Sequence, residues 1–242
     1  MPKIAALFID DGGVMNDNAL RGPEWQRLVP EFFVPILGGD RAQWAEADRI
    51  VFERMLEILT IGPSGQDYAK WWDEYQLRWL REMAAFVRVA VPTDEAKCIR
   101  LAEQATAFIT RRVRSAYPGA VEAIRALHRL GINMFTASGG HSRELDGYLT
   151  GMGIRDCFRV LYGADLVNQA KENADYYRKI FVHAGVEPKS ALVVDESPRV
   201  LAWAQSVGAA TCLVSLDPSP KAQTDLVVSR LADLPAALVG LG

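Results

Sequence analysis

The chain opens with an uninterrupted run of apolar residues that ends in acidic residues and glycines. Ile4 to Ile9 shows no alternation between polar and apolar positions, and Asp10 follows directly. An apolar run of this length that ends in Asp and Gly is typical of a strand buried on both faces of a parallel sheet. We therefore expect a buried first strand whose carboxyl end carries Asp10.

From about Glu24 to Arg114, the apolar positions recur at helical spacing instead. The stretches from Ile50 to Leu59 and from Trp72 to Met83 each present one apolar face, as amphipathic helices do. Five of the six tryptophans lie in this region, and their helical spacing favours packing in a core over stacking against a ligand. We predict an all-helical insertion. Breaks rich in glycine and proline divide it at three places: 38–39, 62–65 and 91–94.

After Tyr117-Pro118-Gly119, short apolar runs alternate with amphipathic stretches. Strands alternating with helices predict a parallel sheet that is covered by helices on both faces. The predicted fold class is therefore α/β, with a Rossmann-like parallel sheet as its core. The predicted strands are 132–136, 159–162, 191–194, 210–214 and 226–228. The predicted helices are 121–130, 142–152, 175–184 and 198–207, with one more at the C-terminal end.

Composition and charge exclude several classes of protein and partner. The chain has 242 residues, of which 50% are hydrophobic and 24% are charged, as in an ordinary globular protein. Its net charge of −3 gives no basic surface for nucleic acid. The first apolar run is too short for a signal peptide or a membrane span. Three widely separated cysteines show neither a disulfide nor a metal pattern, so we expect a cytoplasmic protein with no membrane partner.

Acidic side chains follow two of the predicted strands. Asp10 comes directly after the first strand, and Asp195 and Glu196 follow the strand at 191–194. Parallel sheets bind their ligands at the carboxyl ends of the strands, so these carboxylates are expected to converge. Neighbouring carboxylates repel one another unless a cation lies between them, and oxygen ligands suit Mg²⁺. Taken alone, Asp10 also suits a turn, and Asp195 with Glu196 also suits a helix cap.

Groups that bind phosphate are predicted at the same edge of the sheet. Thr136 ends the second strand, and its hydroxyl and the amides of Ala137 and Ser138 can donate to phosphate oxygens. Lys171 lies in a loop before a helix and would neutralise an anion and a carboxylate nucleophile. An aspartate such as Asp10 can attack phosphorus and form an aspartyl-phosphate. The set predicts metal-assisted phosphoryl transfer, although Thr136 is also an ordinary strand residue and Lys171 an ordinary surface lysine.

Four short motifs, in this order along the chain, resemble those of the haloacid dehalogenase superfamily. The first is Phe8-Ile9-Asp10-Asp11-Gly12-Gly13-Val14-Met15, which matches a subgroup with Gly-Gly-Val. The others are Met134-Phe135-Thr136-Ala137, then Lys171, then Val194-Asp195-Glu196-Ser197-Pro198. Each motif is weak alone, but four in order at strand ends are specific.

The resemblance implies a hydrolase with a catalytic core and a helical cap. It implies that residues 1–15 and 116–242 form the core and 16–115 the cap. Asp10 would be the nucleophile, and Thr136, Ala137 and Lys171 would hold the phosphate. Mg²⁺ would bind Asp10, the Gly12 carbonyl, and Asp195 or Glu196. The substrate would be a small phosphorylated molecule, and the protein a monomer or a homodimer.

Two departures from the family pattern bear on catalysis. Gly12 stands where phosphatases of the family carry the aspartate that protonates the leaving group, and loss of a general acid costs roughly 10²–10⁴-fold in rate. Asp11 is no simple substitute, because adjacent residues of an extended strand point to opposite sides. His141 is a candidate acid or a helix cap. In the fourth motif, Val200 replaces the usual second acid.

Two alternative functions stay open at this point. Haloacid dehalogenases of the superfamily also lack the second aspartate, need no metal and attack carbon, but acidic residues in the fourth motif favour a metal. A phosphate-binding relative that has lost turnover is also compatible with Gly12 and Val200. A metal-dependent phosphatase is the leading hypothesis.

Overall fold

The computed structural model describes residues 4–61, 67–217 and 223–240. The chain forms two compact units. One consists of Met1–Asn18 together with Ala116–Gly242, and the other of Ala19–Ser115. We call them the sheet unit and the helical unit.

Within its described residues, the sheet unit contains six parallel strands in the order β3-β2-β1-β4-β5-β6. This arrangement confirms the predicted α/β class, and β1 lies between β2 and β4. The strands are β1 (Ala6–Ile9), β2 (Asn133–Ala137), β3 (Val160–Tyr162), β4 (Ala191–Asp195), β5 (Ala210–Val214) and β6 (Leu226–Val228).

Helices cover both faces of this sheet. Leu7 and Ile9 of β1 belong to a core with residues of α5, α6 and α9, whereas Phe8 belongs to a core with residues of α7 and α8. Side chains alternate across a strand, so an apolar run without alternation is the pattern expected of a strand buried on both sides. The helices of this unit are α5 (Ala120–Arg129), α6 (Ser142–Gly151), α7 (Ala174–Ala184), α8 (Pro198–Ser206) and α9 (Leu234–Val239).

The helical unit is built from long helices with a core of aromatic residues. Trp44, Trp71, Trp72 and Trp79 are buried, as their helical spacing predicts. Asp94 begins the last helix by accepting from the amide of Lys97, so an acidic cap ends the break predicted at 91–94. The break predicted at 62–65 lies outside the described residues. The helices are α1 (Asn18–Leu37), α2 (Arg41–Ile61), α3 (Tyr68–Val87) and α4 (Glu95–Thr110).

None of the helices in the described parts of the chain combines the length and the apolar character that a membrane crossing requires.

Candidate active site

The carboxylates predicted at the strand ends lie together in the sheet unit. β1 and β4 are neighbours with Ile9 beside Val194, so Asp10 and Asp195 follow at the same edge. Oxygen atoms of Asp10, Asp195 and Glu196 all lie within 4.8 Å of one another. Asp10 and Asp195 are buried, whereas Glu196 is exposed. The sequence prediction that these three acids converge is therefore met by the geometry.

Lys171 joins two of these acids. Its Nζ atom lies 3.0 Å from Oδ1 of Asp10 and 2.6 Å from Oδ2 of Asp195. The other oxygen of Asp195 accepts from the amide of Ser197 at 2.8 Å, so a strand end, a loop and a helix start hold this carboxylate in place. Burial alone would lower the pKa of Lys171, but the adjacent negative charges outweigh burial and raise it well above the ordinary value. Lys171 is therefore a permanent cation here.

The charges of the cluster do not balance. Among the described residues, three carboxylates face the single ammonium group of Lys171. Burial and the nearby acids raise the pKa of Asp10 well above its ordinary value, even though Lys171 acts in the opposite direction. Burial and Asp195 likewise raise the pKa of Glu196. The acids repel one another, and a further cation would relieve that repulsion.

The loop after β1 is held by its own hydrogen bonds. Asn16 Nδ2 donates to Oδ1 of Asp11 at 2.6 Å, and the amides of Met15 and Asn16 donate to the Asp11 carbonyl. Asp11 is therefore a structural hydrogen-bond acceptor in this loop. Gly13 has φ +79°, and a Cβ atom on it would lie 2.8 Å from Cδ of Glu196. Only glycine allows this loop to pass so close to the acid cluster.

Thr136 lies inside β2, where it pairs with Ile9 of β1. β2 continues to Ala137, one residue beyond the predicted end. Side chains alternate across a strand, so the Thr136 side chain stands on the face opposite Phe135. It is fully buried, and its hydroxyl donates to the Tyr162 carbonyl at 3.2 Å. The structure does not bring this hydroxyl to the site.

Ser138 is the hydroxyl that follows the end of β2. Because Ile9 pairs with Thr136, Ala137 and Ser138 continue at the level of Asp10 and the loop beyond it. Oγ of Ser138 accepts from the amide of Gly140 at 3.2 Å, which leaves its own hydrogen available to a ligand. The sequence signal was present, since Ser-Gly-Gly follows the strand, but the strand end was placed one residue too early.

His141 caps a helix. Its Nδ1 atom accepts from the amide of Arg143 at 3.2 Å at the start of α6, and the side chain is buried. Its Nε2 atom faces Asp165 at 3.8 Å, and Asp165 also accepts from the Ser142 amide. These contacts match the capping interpretation of His141 and give no support to its interpretation as an acid.

The sequence analysis did not predict two buried tyrosines near the cluster. Tyr176 and Tyr177 lie near the start of α7 and are fully buried. The Tyr176 hydroxyl lies 3.1 Å from the carbonyls of Ser138 and Tyr162. The Tyr177 hydroxyl is buried, and among the described residues it has no hydrogen-bond partner. Burial raises the pKa of Tyr177, and the charge of Lys171 acts in the opposite direction. A pair of aromatic residues in a helix predicts only packing, so the sequence carried no signal for this hydroxyl.

Comparison with known proteins identifies the family. The model of the haloacid dehalogenase-like hydrolase family matches residues 5–225. The chain therefore belongs to the haloacid dehalogenase-like hydrolase family, as the four motifs predicted.

The proteins similar to this chain have names that imply two different reactions, phosphate release and dehalogenation. Enolase-phosphatase E1 of Granulibacter bethesdensis is 32% identical over 98 residues, which are 40% of this chain and 42% of that protein. Phosphoglycolate phosphatase of Rhodospirillum rubrum is 30% identical over 101 residues, 42% of either chain. The chain thus matches less than half the length of these relatives. The structure of 2-haloacid dehalogenase from Pseudomonas syringae pv. tomato superposes with a TM-score of 0.67 at 16% identity, over 99% of this chain and 100% of that chain. At that identity the likeness shows the fold alone.

Proposed function

We propose that the protein is a Mg²⁺-dependent phosphatase that acts on a small phosphomonoester through an aspartyl-phosphate. The observation that carries this proposal is the cluster of Asp10, Asp195 and Glu196 with the Lys171 ammonium bound between two of them. Phosphoryl transfer of this kind needs a carboxylate nucleophile, a fixed cation and a metal site with oxygen ligands.

Different residues of the sheet unit carry out nucleophilic attack, charge neutralisation and phosphate binding. A carboxylate oxygen of Asp10 attacks phosphorus, the bond from phosphorus to the leaving oxygen breaks, and the electron pair departs with that oxygen. Lys171 neutralises charge on Asp10 and on the phosphoryl group. Ser138, rather than the occupied hydroxyl of Thr136, donates to a phosphate oxygen together with the Ala137 amide. Water then attacks phosphorus, releases phosphate and restores Asp10.

The donor set fits a magnesium ion. Carboxylate oxygens of Asp10, Asp195 and Glu196 and the carbonyl of Gly12 are hard ligands of the kind that Mg²⁺ prefers. The surplus negative charge of the cluster also calls for a cation. When bound, the ion would polarise the phosphoryl group and lower the pKa of Asp10, which favours the carboxylate that attacks.

Sequence similarity also supports a phosphatase. The curated relatives that match at 30% and 32% identity carry phosphatase names, whereas the dehalogenase likeness is one of fold. The predicted role of residues 16–115 as a cap that selects the substrate stays part of the proposal. We also propose that the substrate is phosphorylated and that the protein is a monomer or a homodimer.

The test is phosphate release from a panel of phosphomonoesters, with Mg²⁺ and with a chelator. We expect release that requires Mg²⁺ and that falls at least about 10³-fold in Asp10→Asn, because the amide is no nucleophile. Peptide mapping after acid quenching should find the phosphoryl group on Asp10. Asp156→Asn, which changes an exposed acid of the same unit, is the matched control and should keep full activity.

Other results of these assays would favour one of the alternative functions. Chloride release from 2-chloropropionate in the presence of chelator would identify a dehalogenase. Tight binding of phosphate without turnover on any substrate would identify a binding protein. Mg²⁺-dependent phosphate release that survives Asp10→Asn would remove Asp10 as the nucleophile.

A further inference from the structure

The loop after β2 begins at Ser138, and hydrogen bonds to both of its backbone groups hold it in place. Its amide donates to the Tyr162 carbonyl at 3.0 Å, and its own carbonyl lies 3.1 Å from the hydroxyl of Tyr176. Ser138 is only 6% exposed, so its peptide groups have little access to water. The place of Ser138 in the candidate site therefore depends on partners inside the protein.

The Tyr176 hydroxyl has one hydrogen and two carbonyls within reach. It lies 3.1 Å from the carbonyl of Ser138 and 3.1 Å from that of Tyr162. The Tyr162 carbonyl also accepts from the amide of Ser138 and from the hydroxyl of Thr136. A carbonyl oxygen has two lone pairs, and these two donors occupy both. The hydrogen of Tyr176 is therefore left for the Ser138 carbonyl.

The far end of the same loop is held without Tyr176. The Ala164 amide donates to the Gly140 carbonyl at 3.2 Å, and the Ser142 amide donates to Oδ1 of Asp165 at 2.8 Å. Helix α6 begins at Ser142 and continues the chain from there. Loss of the Tyr176 hydroxyl would therefore act on the first residue of the loop and leave the rest anchored.

Tyr176 also belongs to the segment that carries Lys171. It follows Lys171 by five residues, lies near the start of α7 and is fully buried. A Cβ atom on Gly139 would lie 4.0 Å from Cβ of Lys171, so the loop passes beside the stem of this lysine. The Lys171 ammonium group in turn lies 3.0 Å from Oδ1 of Asp10. The hydrogen bond from Tyr176 thus joins the segment with Lys171 to the loop with Ser138.

We propose that Tyr176 is a positioning residue whose hydrogen bond to the Ser138 carbonyl directs the Ser138 hydroxyl toward the phosphate. The inference rests on the proposed phosphatase function and concerns phosphate binding rather than the chemical step. Oγ of Ser138 accepts from the Gly140 amide, so its hydrogen can reach a phosphate oxygen while the backbone keeps this orientation. A buried carbonyl without a donor is costly, and the Ser138 peptide would turn to find one and move its hydroxyl.

The first test removes the hydroxyl alone. Tyr176→Phe keeps the ring and should raise KM for p-nitrophenyl phosphate about fivefold, which is part of the roughly tenfold effect of losing a hydrogen bond to a charged group. The kcat value should stay within about twofold, because a bond made both before and during the reaction changes binding alone. The Kd of inorganic phosphate in the presence of Mg²⁺, measured by calorimetry, should rise by the same factor as KM.

A double-mutant cycle tests whether Tyr176 acts through Ser138. Ser138→Ala removes the hydroxyl, so the addition of Tyr176→Phe should raise KM no further. Tyr148→Phe makes the same change at another buried tyrosine of the sheet unit, on α6, and should leave KM and the phosphate Kd unchanged. A merely structural role of Tyr176 would lower kcat as the folded fraction falls and would leave KM unchanged.

The outcomes distinguish this inference from the proposed function. Phosphate release with an unchanged KM in Tyr176→Phe, or a rise in KM that persists in the Ser138→Ala background, would overturn the inference and keep the phosphatase. No release above the Asp10→Asn background, together with weaker phosphate binding in Tyr176→Phe, would overturn the phosphatase and keep the role of Tyr176. No release, with phosphate binding that is absent or unchanged in Tyr176→Phe, would overturn both.

Discussion

Asp48 is a buried acid that the proposed chemistry does not use. It lies on α2 in the helical unit and is 5% exposed, and its Oδ1 atom accepts from Nε1 of Trp79 at 3.3 Å. Burial raises the pKa of Asp48 to about 7, although the hydrogen bond from Trp79 acts to lower it. The native state therefore favours the protonated acid. Asp48→Asn keeps an oxygen for Trp79 and removes the charge.

The expected effect on stability follows from the difference between the two states. The pKa of Asp48 is about 7 in the native state against 3.8 for an ordinary aspartate, and this difference is worth about 4 kcal/mol at high pH. Because the native pKa is raised, the contribution of Asp48 to stability is fully present below about pH 4 and is lost as the pH rises through about 7. About 2.5 kcal/mol of it should disappear between about pH 5 and pH 8.

The assay is urea unfolding followed by tryptophan fluorescence at several pH values. Five of the six tryptophans belong to the helical unit, so the signal reports mainly on its unfolding. We expect Asp48→Asn to be more stable than the wild type at pH 8, by up to about 4 kcal/mol, and to approach it at low pH. Asp73→Asn, which changes an exposed acid on α3, is the control and should leave the profile unchanged. Equal slopes for the wild type and Asp48→Asn would refute the reasoning.

Two further predictions concern hydroxyl groups near the candidate site. Thr136→Val should retain phosphate release within about threefold, because the Thr136 hydroxyl donates to the Tyr162 carbonyl. Ser138→Ala should lower kcat/KM about tenfold, because it removes a hydrogen bond to the phosphate. Steady-state kinetics that show the reverse order would return Thr136 to the site. Tyr177→Phe removes a buried hydroxyl that has no partner among the described residues, so its unfolding free energy should be unchanged or higher by about 1 kcal/mol. Urea unfolding is the measurement, and a Tyr177→Phe variant that is clearly less stable than the wild type would show that the hydroxyl is structural.

The sheet was predictable because its signals are local. A strand covered on both faces requires apolar residues at every position. Ala6–Ile9 is wholly apolar and is followed by Asp10, and Ala191–Asp195 is apolar up to its last residue. Helices on the two faces show the 3.6-residue period. The predicted bounds of β5 and β6 agree with the structure, and those of the other strands differ by one or two residues.

A difference of one residue matters at a strand end. With β2 ending at Thr136, the hydroxyl would face the ligand; with β2 ending at Ala137, Thr136 is an interior strand residue and Ser138 takes the end position. Alternation makes the direction of a side chain depend on the parity of its position. Pairing with β1 and β3 decides that parity, and pairing depends on residues far away in the chain.

By itself, the sequence determined the α/β class, the helical insertion and the convergence of Asp10, Asp195 and Glu196. Periodicity is a local property, and parallel strands bring their carboxyl ends to the same edge of a sheet. Tertiary structure alone decided which side chain lies beside Gly12 and which hydroxyl groups are hydrogen-bonded within the protein. The Asn18 carboxamide lies beside Gly12, and among the described residues the buried Tyr177 hydroxyl has no hydrogen-bond partner. Such close approaches arise only when separate segments pack together, and no local pattern of residue types encodes the distance between them.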